Sequence, residues 1–474
     1  MNKIESALRR TTDTRALAFG VGTLPRAAEL FVELFPGRRA LVVADLNTWR
    51  VAGEEVHRIL GEAGIGQDEP CVFADPGLYA EWGYVERLDA LLAGTDAVPV
   101  AVGSGVINDL AKLASHHNGR RYLVVGTAAS MDGYTAYGAS ITRDGNKQTF
   151  DCPAPLGMVF DPAIAAAAPA ALSASGYADL IAKIPAGADW MLADAVGAEA
   201  MDDFAFSLVQ DGLPEALCDP TGVHAGDVGK VGRLAEGLLL SGFAMQAAQS
   251  SRPASGAEHQ FSHLWDMEHL RFGGASVSHG FKVGIGTLAS TAFLEMLLEA
   301  PVERLDVAGC VAAWKSWEET ERDIRAVFAG DPELVARGLK ETYGKYVDQA
   351  GAVRTTDAAA AGMARTPGAD SPADHSVRGG APPAGARRSA LRAGADRGVA
   401  RPVPGGFRAD SLHAEPLLGD RHGVPLRVDG GVARPSVRSG LYLGDPLTEP
   451  SVGGKFATFF APGAVFLLRK AYLC

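Results

Sequence analysis

Four residues stand out for the chemistry their types allow: Asp179, His259, His263 and His279. The run Glu258-His259-Gln260-Phe261-Ser262-His263 sets two imidazoles at i and i+4, which share one face of a helix. It differs from the HExxH of zinc peptidases, because Glu258 precedes the first histidine and Gln260 follows it. His279 lies in a small-residue context, Ser278-His279-Gly280. Upstream, Asp179 and Lys183 occupy one helical face at i and i+4. An Asp/His shell with an open position is how a protein presents a divalent cation to a substrate oxygen. A single histidine is more often structural, and periodicity does not bring Asp179 to the imidazoles.

Two glycine- and hydroxyl-rich stretches follow apolar runs. Val102-Gly103-Ser104-Gly105-Val106-Ile107-Asn108-Asp109 passes from a strand pattern into a helical one. Such a turn lets backbone approach a pyrophosphate, and the helix start supplies N–H donors and a favourable dipole. It equally suits a tight connection, and Asn108 stands where a full GxGxxG would have its third glycine. Thr127-Ala128-Ala129-Ser130-Met131-Asp132 lies just past another strand pattern, at the carboxyl edge where open α/β sheets bind ligands, or forms an ordinary turn. Asp45 ends an earlier strand and either accepts ribose hydroxyls or caps the next helix.

The elements that must position these residues alternate through the first 160 or so positions. Strands are expected at Arg39–Ala44, Val98–Val102 and Tyr122–Val125, with amphipathic helices over Arg50–Gly64 and Tyr84–Leu92. Near-continuous apolar strands alternating with helices predict a parallel sheet covered on both faces. At Asp161-Pro162 the texture changes, and from Ala163 to about Tyr346 it is helical and rich in alanine and leucine. Three parts are expected: an α/β domain over 1–162, an all-helical domain over 163–355, and an atypical tail over 356–474. Residues 356–440 contain no Lys, Ile, Asn, Gln, Trp or Cys, and Pro/Gly breakers recur. They read either as an irregular or disordered segment poor in large apolar groups, or as a shifted reading frame of a GC-rich gene.

Composition narrows the class. With 474 residues, 47% hydrophobic and 21% charged, the chain has ample material for a globular core. Its five cysteines form no CxxC pair, which points away from a disulfide framework and toward a reducing, cytoplasmic setting. The start, Met1 to Arg10, has no apolar region of a secretory signal, and no run of about eighteen apolar residues predicts a membrane span. A net charge of −12 disfavours nucleic acid as a partner and requires locally gathered positive charge for any anionic substrate.

Taken in order from about Thr12 to about Tyr346, the strings GSGVINDLAK, TAASMDGYT, ASGYADLIAKIPAGADW, SGAEHQFSHLW and SHGFKVGIGT resemble the sn-glycerol-1-phosphate dehydrogenases. Their superfamily includes glycerol dehydrogenases, iron-containing alcohol dehydrogenases and 3-dehydroquinate synthases. The resemblance implies an N-terminal Rossmann-like α/β domain and an all-helical C-terminal domain with the site in the cleft. It implies reversible reduction of dihydroxyacetone phosphate by NAD(H) or NADP(H), and one divalent metal, zinc or nickel, on Asp179, His259 and His279. Gly103, Ser104, Gly105, Val106 and Ile107, with Thr127, Ala128, Ala129 and Ser130, would bind the dinucleotide. Asp132 and His263 would face substrate, with Asp179 touching both metal and substrate and His263 relaying a proton. Asp45 at the ribose position favours NADH, since it repels a 2′-phosphate. Lys183 and Lys282 are the expected anchors for the phosphate, and a homo-oligomer, a dimer, is the expected assembly.

The sequence departs from that pattern twice. Ala136 replaces a serine that contacts the nucleotide, which weakens cofactor binding by about 1 kcal/mol. The tail lacks the amphipathic helices that complete the helical domain, so apolar surface on the remaining helices is expected to be exposed. The rival readings are a dehydroquinate synthase-like lyase, a glycerol dehydrogenase acting on unphosphorylated substrate, and an inactive chain with a compromised C-terminal domain.

Overall fold

The computed structural model describes residues 3–143, 146–300 and 306–355, without the side chain of Asn146. The expectations for the tail over 356–474 lie outside the described residues. In chain order the strands of the first half are β1 (Ala16–Phe19), β2 (Ala40–Asp45), β3 (Cys71–Phe73), β4 (Val98–Gly103), β5 (Leu123–Gly126), β6 (Ala139–Arg143), β7 (Asn146–Phe150) and β8 (Gly157–Phe160). Six of them form one sheet in the order β1-β8-β5-β4-β2-β3, every neighbouring pair parallel. This is the expected Rossmann-like sheet. Its central strands β8, β5 and β4 are buried at every position, which is why they read as unbroken apolar runs.

The remaining two strands form an antiparallel hairpin, β6 with β7, pairing Ala139 with Phe150 and Arg143 with Asn146. The sequence reading did not separate it. Its strands are short, and Ser140, Thr142 and Thr149 interrupt the apolar pattern.

From Pro162 onward the described elements are helical apart from a short hairpin, Arg271–Phe272 with Ala275–Ser276. Six helices bear on the site: α1 (Gly105–His117), which follows β4, then α2 (Ala170–Ile181), α3 (Lys183–Ala195), α4 (Val228–Ala248), α5 (Ala257–Met267) and α6 (His279–Glu299). One apolar cluster contains Val124 and Met158 of the sheet together with Leu234 and Phe243 of α4, so the core continues across residue 162. A second cluster, with Phe31, Val42, Val100 and Val125, covers the opposite face of the sheet.

Close helix packing brings distant sequence motifs together. The α carbon of Gly176 in α2 lies so near the loop after β5 that an added Cβ would stand 2.0 Å from the Ala129 carbonyl oxygen. Gly280 at the start of α6 is pressed against α2, where a Cβ would stand 1.9 Å from the Ser175 carbonyl oxygen. Helix α6 is also the one described helix long and apolar enough to cross a membrane by length and composition. It packs on α2 and α5 through Gly280, Lys282, Val283, Gly286 and Thr287, while Ile285 and Leu288 on its other side are exposed.

The Gly280 contact makes a direct test. Gly280→Ala should destabilise the chain by about 1–3 kcal/mol or more in denaturant unfolding, because the helices must separate to admit a methyl group. Gly83→Ala, in a helix with nothing within 4 Å of the new Cβ, should be neutral or stabilising. Equal stability of the two variants would show that α6 and α2 do not meet at this point.

Candidate metal and nucleotide site

Asp179 sits in α2, His259 in α5 and His279 at the first position of α6. The glycine-mediated packing of these helices brings one ligand atom from each residue within 4.8 Å of the others. His259 Nε2 lies 3.9 Å from Asp179 Oδ1, and the His259 and His279 ring centroids are 5.3 Å apart. Ligand atoms around a zinc-sized cation stand about 3.4 Å apart, so a bound cation would draw this triad inward only slightly. Asp179 is fully buried and His259 nearly so.

Hydrogen bonds hold two of the three ligands, His259 and Asp179. Glu258, fully buried, accepts a hydrogen bond at Oε1 from the Gly256 N–H at 2.7 Å, and the same oxygen lies 2.7 Å from His259 Nδ1. With Nδ1 so engaged, Nε2 is the nitrogen turned toward Asp179, the arrangement by which a carboxylate fixes a metal-ligating imidazole. His279 has its pKa held well below the usual value by burial and then by Lys147 and His259, which keeps it in the neutral form that ligates. Asp179 accepts from Lys183 Nζ at Oδ1, 2.7 Å, and from the Asp132 N–H at Oδ2, 3.1 Å.

Lys183 is the first correction. Expected as a phosphate anchor, it is fully buried, with its ammonium 2.9 Å from Asp132 Oδ2 as well as 2.7 Å from Asp179 Oδ1. Burial opposes its charge, but Asp132 and Asp179 outweigh burial and hold the ammonium above its ordinary pKa. It is committed to those carboxylates and has no exposed face for a phosphate. Asp132 also accepts from Ser241 Oγ at 2.9 Å. His263, one turn beyond His259, stands with its ring centroid 6.5 Å from that of His259, and its Nδ1 has no hydrogen-bond partner among the described residues. Burial first, then His259 and neighbouring cations, depress its pKa to about 3.

On the nucleotide side, Gly103 ends β4 and Gly105 opens α1, with Ser104 as N-cap in extended conformation. A Cβ on Gly103 would stand 2.6 Å from Ile107 Cβ, so the strand–helix turn requires glycine there. The Ser104 side chain makes no capping hydrogen bond, which leaves the first N–H groups of α1, those of Val106 and Ile107 among them, without a side-chain cap. Thr127 N–H donates to the Gly103 carbonyl at 3.1 Å, bringing the two loops together. Ala128 and Ala129 are buried, so those two positions offer a ligand backbone atoms rather than side chains; Ser130 is also largely buried. Asp45 forms a capping box, its Oδ1 accepting from the Asn47 and Thr48 N–H groups.

Several supporting residues escaped the sequence reading. The Tyr134 hydroxyl donates to the carbonyls of Gly103 and Ala128, tying one nucleotide loop to the other. Lys112, buried in α1, donates to the carbonyls of Gly133, Ala136 and Gly138, each at 2.9 Å. It thereby fixes the segment that carries Asp132. Its sequence signal is a lysine one turn beyond Asn108 and Asp109, in a helix whose remaining buried residues are mostly apolar. Glu258 was noted only for its place in the histidine motif, and Asp189 not at all.

Asp189 and Glu258 converge on Gly256, where a Cβ would stand 2.7 Å from Asp189 Oδ2 and 2.9 Å from Glu258 Oε2. Burial, then Glu258, pushes the Asp189 carboxyl up to about 7 from an ordinary 3.8. The folded chain therefore binds this proton more tightly than the unfolded chain. The resulting stability is fully present below about pH 4 and is lost as pH rises through 7. Asp189→Asn keeps an acceptor for the Ala257 N–H, which now donates to Asp189 Oδ2 at 2.7 Å, and cannot ionise. In urea unfolding it should exceed the parent by roughly 1–3 kcal/mol at pH 8, with the gap closing toward pH 4. A gap of the same size at both pH values would show that Asp189 titrates normally.

With this geometry in place, comparison with known proteins adds the family. A sequence profile described as iron-containing alcohol dehydrogenase matches residues 18–169. The glycerol-1-phosphate dehydrogenase [NAD(P)+] of Halalkalibacterium halodurans is 32% identical over 324 residues, covering 68% of this chain and 79% of that protein. The protein of the same name from Pyrococcus furiosus is 32% identical over 275 residues, covering 58% of this chain and 77% of that one. A solved structure, that of a probable glycerol dehydrogenase from Sinorhizobium meliloti, aligns with a TM-score of 0.49 at 20% identity, covering 73% of this chain and 97% of that chain. On the sequence match across most of a relative's length, the chain belongs to the glycerol-1-phosphate dehydrogenase family.

Proposed function

We propose that this chain reduces dihydroxyacetone phosphate to sn-glycerol 1-phosphate, using NADH or NADPH and one divalent cation, zinc or nickel, held by Asp179, His259 and His279. The observation that carries the reading is the convergence of those three side chains beside the loop that bears Asp132. A cation held there would supply Lewis-acid chemistry toward a ketone, and a nicotinamide in the neighbouring loops would be the hydride source.

The chain's own residues do the rest. Lys183 sits between Asp132 and Asp179 and pairs with both, so neither buried carboxylate lacks a cationic partner. Glu258 orients His259. Asp132, steadied by Ser241 and Lys183, accepts from a substrate hydroxyl. His263, neutral at physiological pH, relays a proton between water and the substrate oxygen rather than storing one. The turn from Gly103 to Ile107 and the loop from Thr127 to Ser130 receive the dinucleotide. Asp45 uses Oδ1 for its cap and offers Oδ2 to ribose hydroxyls, which favours NADH over NADPH. A cytoplasmic homodimer accords with this reading.

The deciding assay is net NADH or NADPH oxidation with dihydroxyacetone phosphate, beside free dihydroxyacetone, before and after chelation. Preference for the phosphorylated ketone, loss on chelation and recovery with zinc or nickel are expected. A lyase would consume no reduced nucleotide, and a glycerol dehydrogenase would not prefer the phosphorylated substrate.

The role of Glu258 can be measured without turnover. Glu258→Ala should weaken metal binding by about 10- to 100-fold in competition with a chromophoric chelator, and Glu258→Gln should recover much of it. An unchanged affinity in the alanine variant would leave His259 oriented by something else.

A further inference from the structure

We propose that Lys147 and Lys282 form the seat for the phosphate monoester of the substrate, with Asp266 holding the two ammonium groups side by side. The proposal rests on the reading of the chain as a reductase of a phosphorylated ketone. Lys282 Nζ bonds Asp266 Oδ1, and Lys147 Nζ stands 3.6 Å from Asp266 Oδ2. Lys282 is 4% exposed and Lys147 20% exposed at the side chain, so the group is sheltered but open on the hairpin side.

Placement argues for this corner. Lys282 lies three residues beyond His279 on α6, and Asp266 lies three residues beyond His263 on α5. Each pair shares a helical face, so the lysine–aspartate group sits three residues of rise, about 4.5 Å, along from the site histidines. In the proposed substrate the phosphorus is separated from the carbonyl carbon by one carbon and one ester oxygen, a reach of the same order. Lys147 comes from the other side of the cleft, on β7, which packs against α5.

Charge supports the same choice. Two ammonium groups and one carboxylate leave this corner net positive in a chain of net charge −12. An ammonium has three donors, and Lys282 gives one to Asp266, so donors remain for phosphate oxygens. Lys183, the other candidate, is fully committed elsewhere.

The experiment compares kcat/KM for dihydroxyacetone phosphate with kcat/KM for dihydroxyacetone in the metal-loaded full chain and in Lys147→Met, Lys282→Met and Asp266→Asn. The ratio of the two should fall tenfold or more in each lysine variant and less in Asp266→Asn, with KM for the phosphorylated ketone rising. Competitive inhibition by inorganic phosphate should weaken in parallel. Lys147 is the more exposed of the two, so Lys147→Met decides the matter if Lys282→Met does not fold. An unchanged ratio and unchanged phosphate inhibition in Lys147→Met would overturn the proposal, as would an equal loss on both ketones. A parent chain that shows no preference for the phosphorylated ketone would instead overturn the functional reading beneath it.

Discussion

The site depends on one buried lysine. Lys183 is fully enclosed between Asp179 and Asp132, two carboxylates that otherwise would be costly to keep ionised inside the protein. One is the proposed cation ligand and the other is the proposed substrate contact, so the ammonium joins the two proposed roles through one ion-pair group. It also ties α2 and α3 to the loop beyond β5, since the Asp132 N–H donates to Asp179 while the Asp132 carboxylate receives Lys183. Removing the amine would leave two uncompensated negative charges in the core, and so would disturb fold and site together.

That dual role explains what could be read in the residues beforehand. The parallel sheet was legible because β4 and β5 are buried on both faces and appear as unbroken apolar runs. The imidazoles were legible as a helical i, i+4 pair plus a third histidine. Their meeting with Asp179 was not, because it is made by contacts of Gly280 and Gly176 with backbone atoms far away in the chain. Lys183 was misassigned for a related reason: helical spacing put it beside Asp179 correctly, but Asp132, its second partner, is 51 positions upstream. Asp45 had two readings at the start, and the capping one is present in the fold.

Helix α6 shows how a site constraint can imitate another signal. Its length and apolar character pass for a membrane span, yet Lys282 and Thr287 are buried along it and His279 opens it. Further along, Ile285 is 58% and Leu288 is 62% exposed, so the face turned away from α2 and α5 meets little of the described protein.

Electrostatics then sorts the histidines by task. The chain is acidic overall, but Lys147 and Lys282 bear on the cleft, and Lys147 acts on both His263 and His279. Burial is the larger influence on each, and the cations add to it, so both rings stay neutral where a protonated imidazole would repel a metal ion. Two buried lysines are met by carboxylates, Lys183 by Asp132 and Asp179 and Lys282 by Asp266, so each charge is enclosed together with its counter-charge.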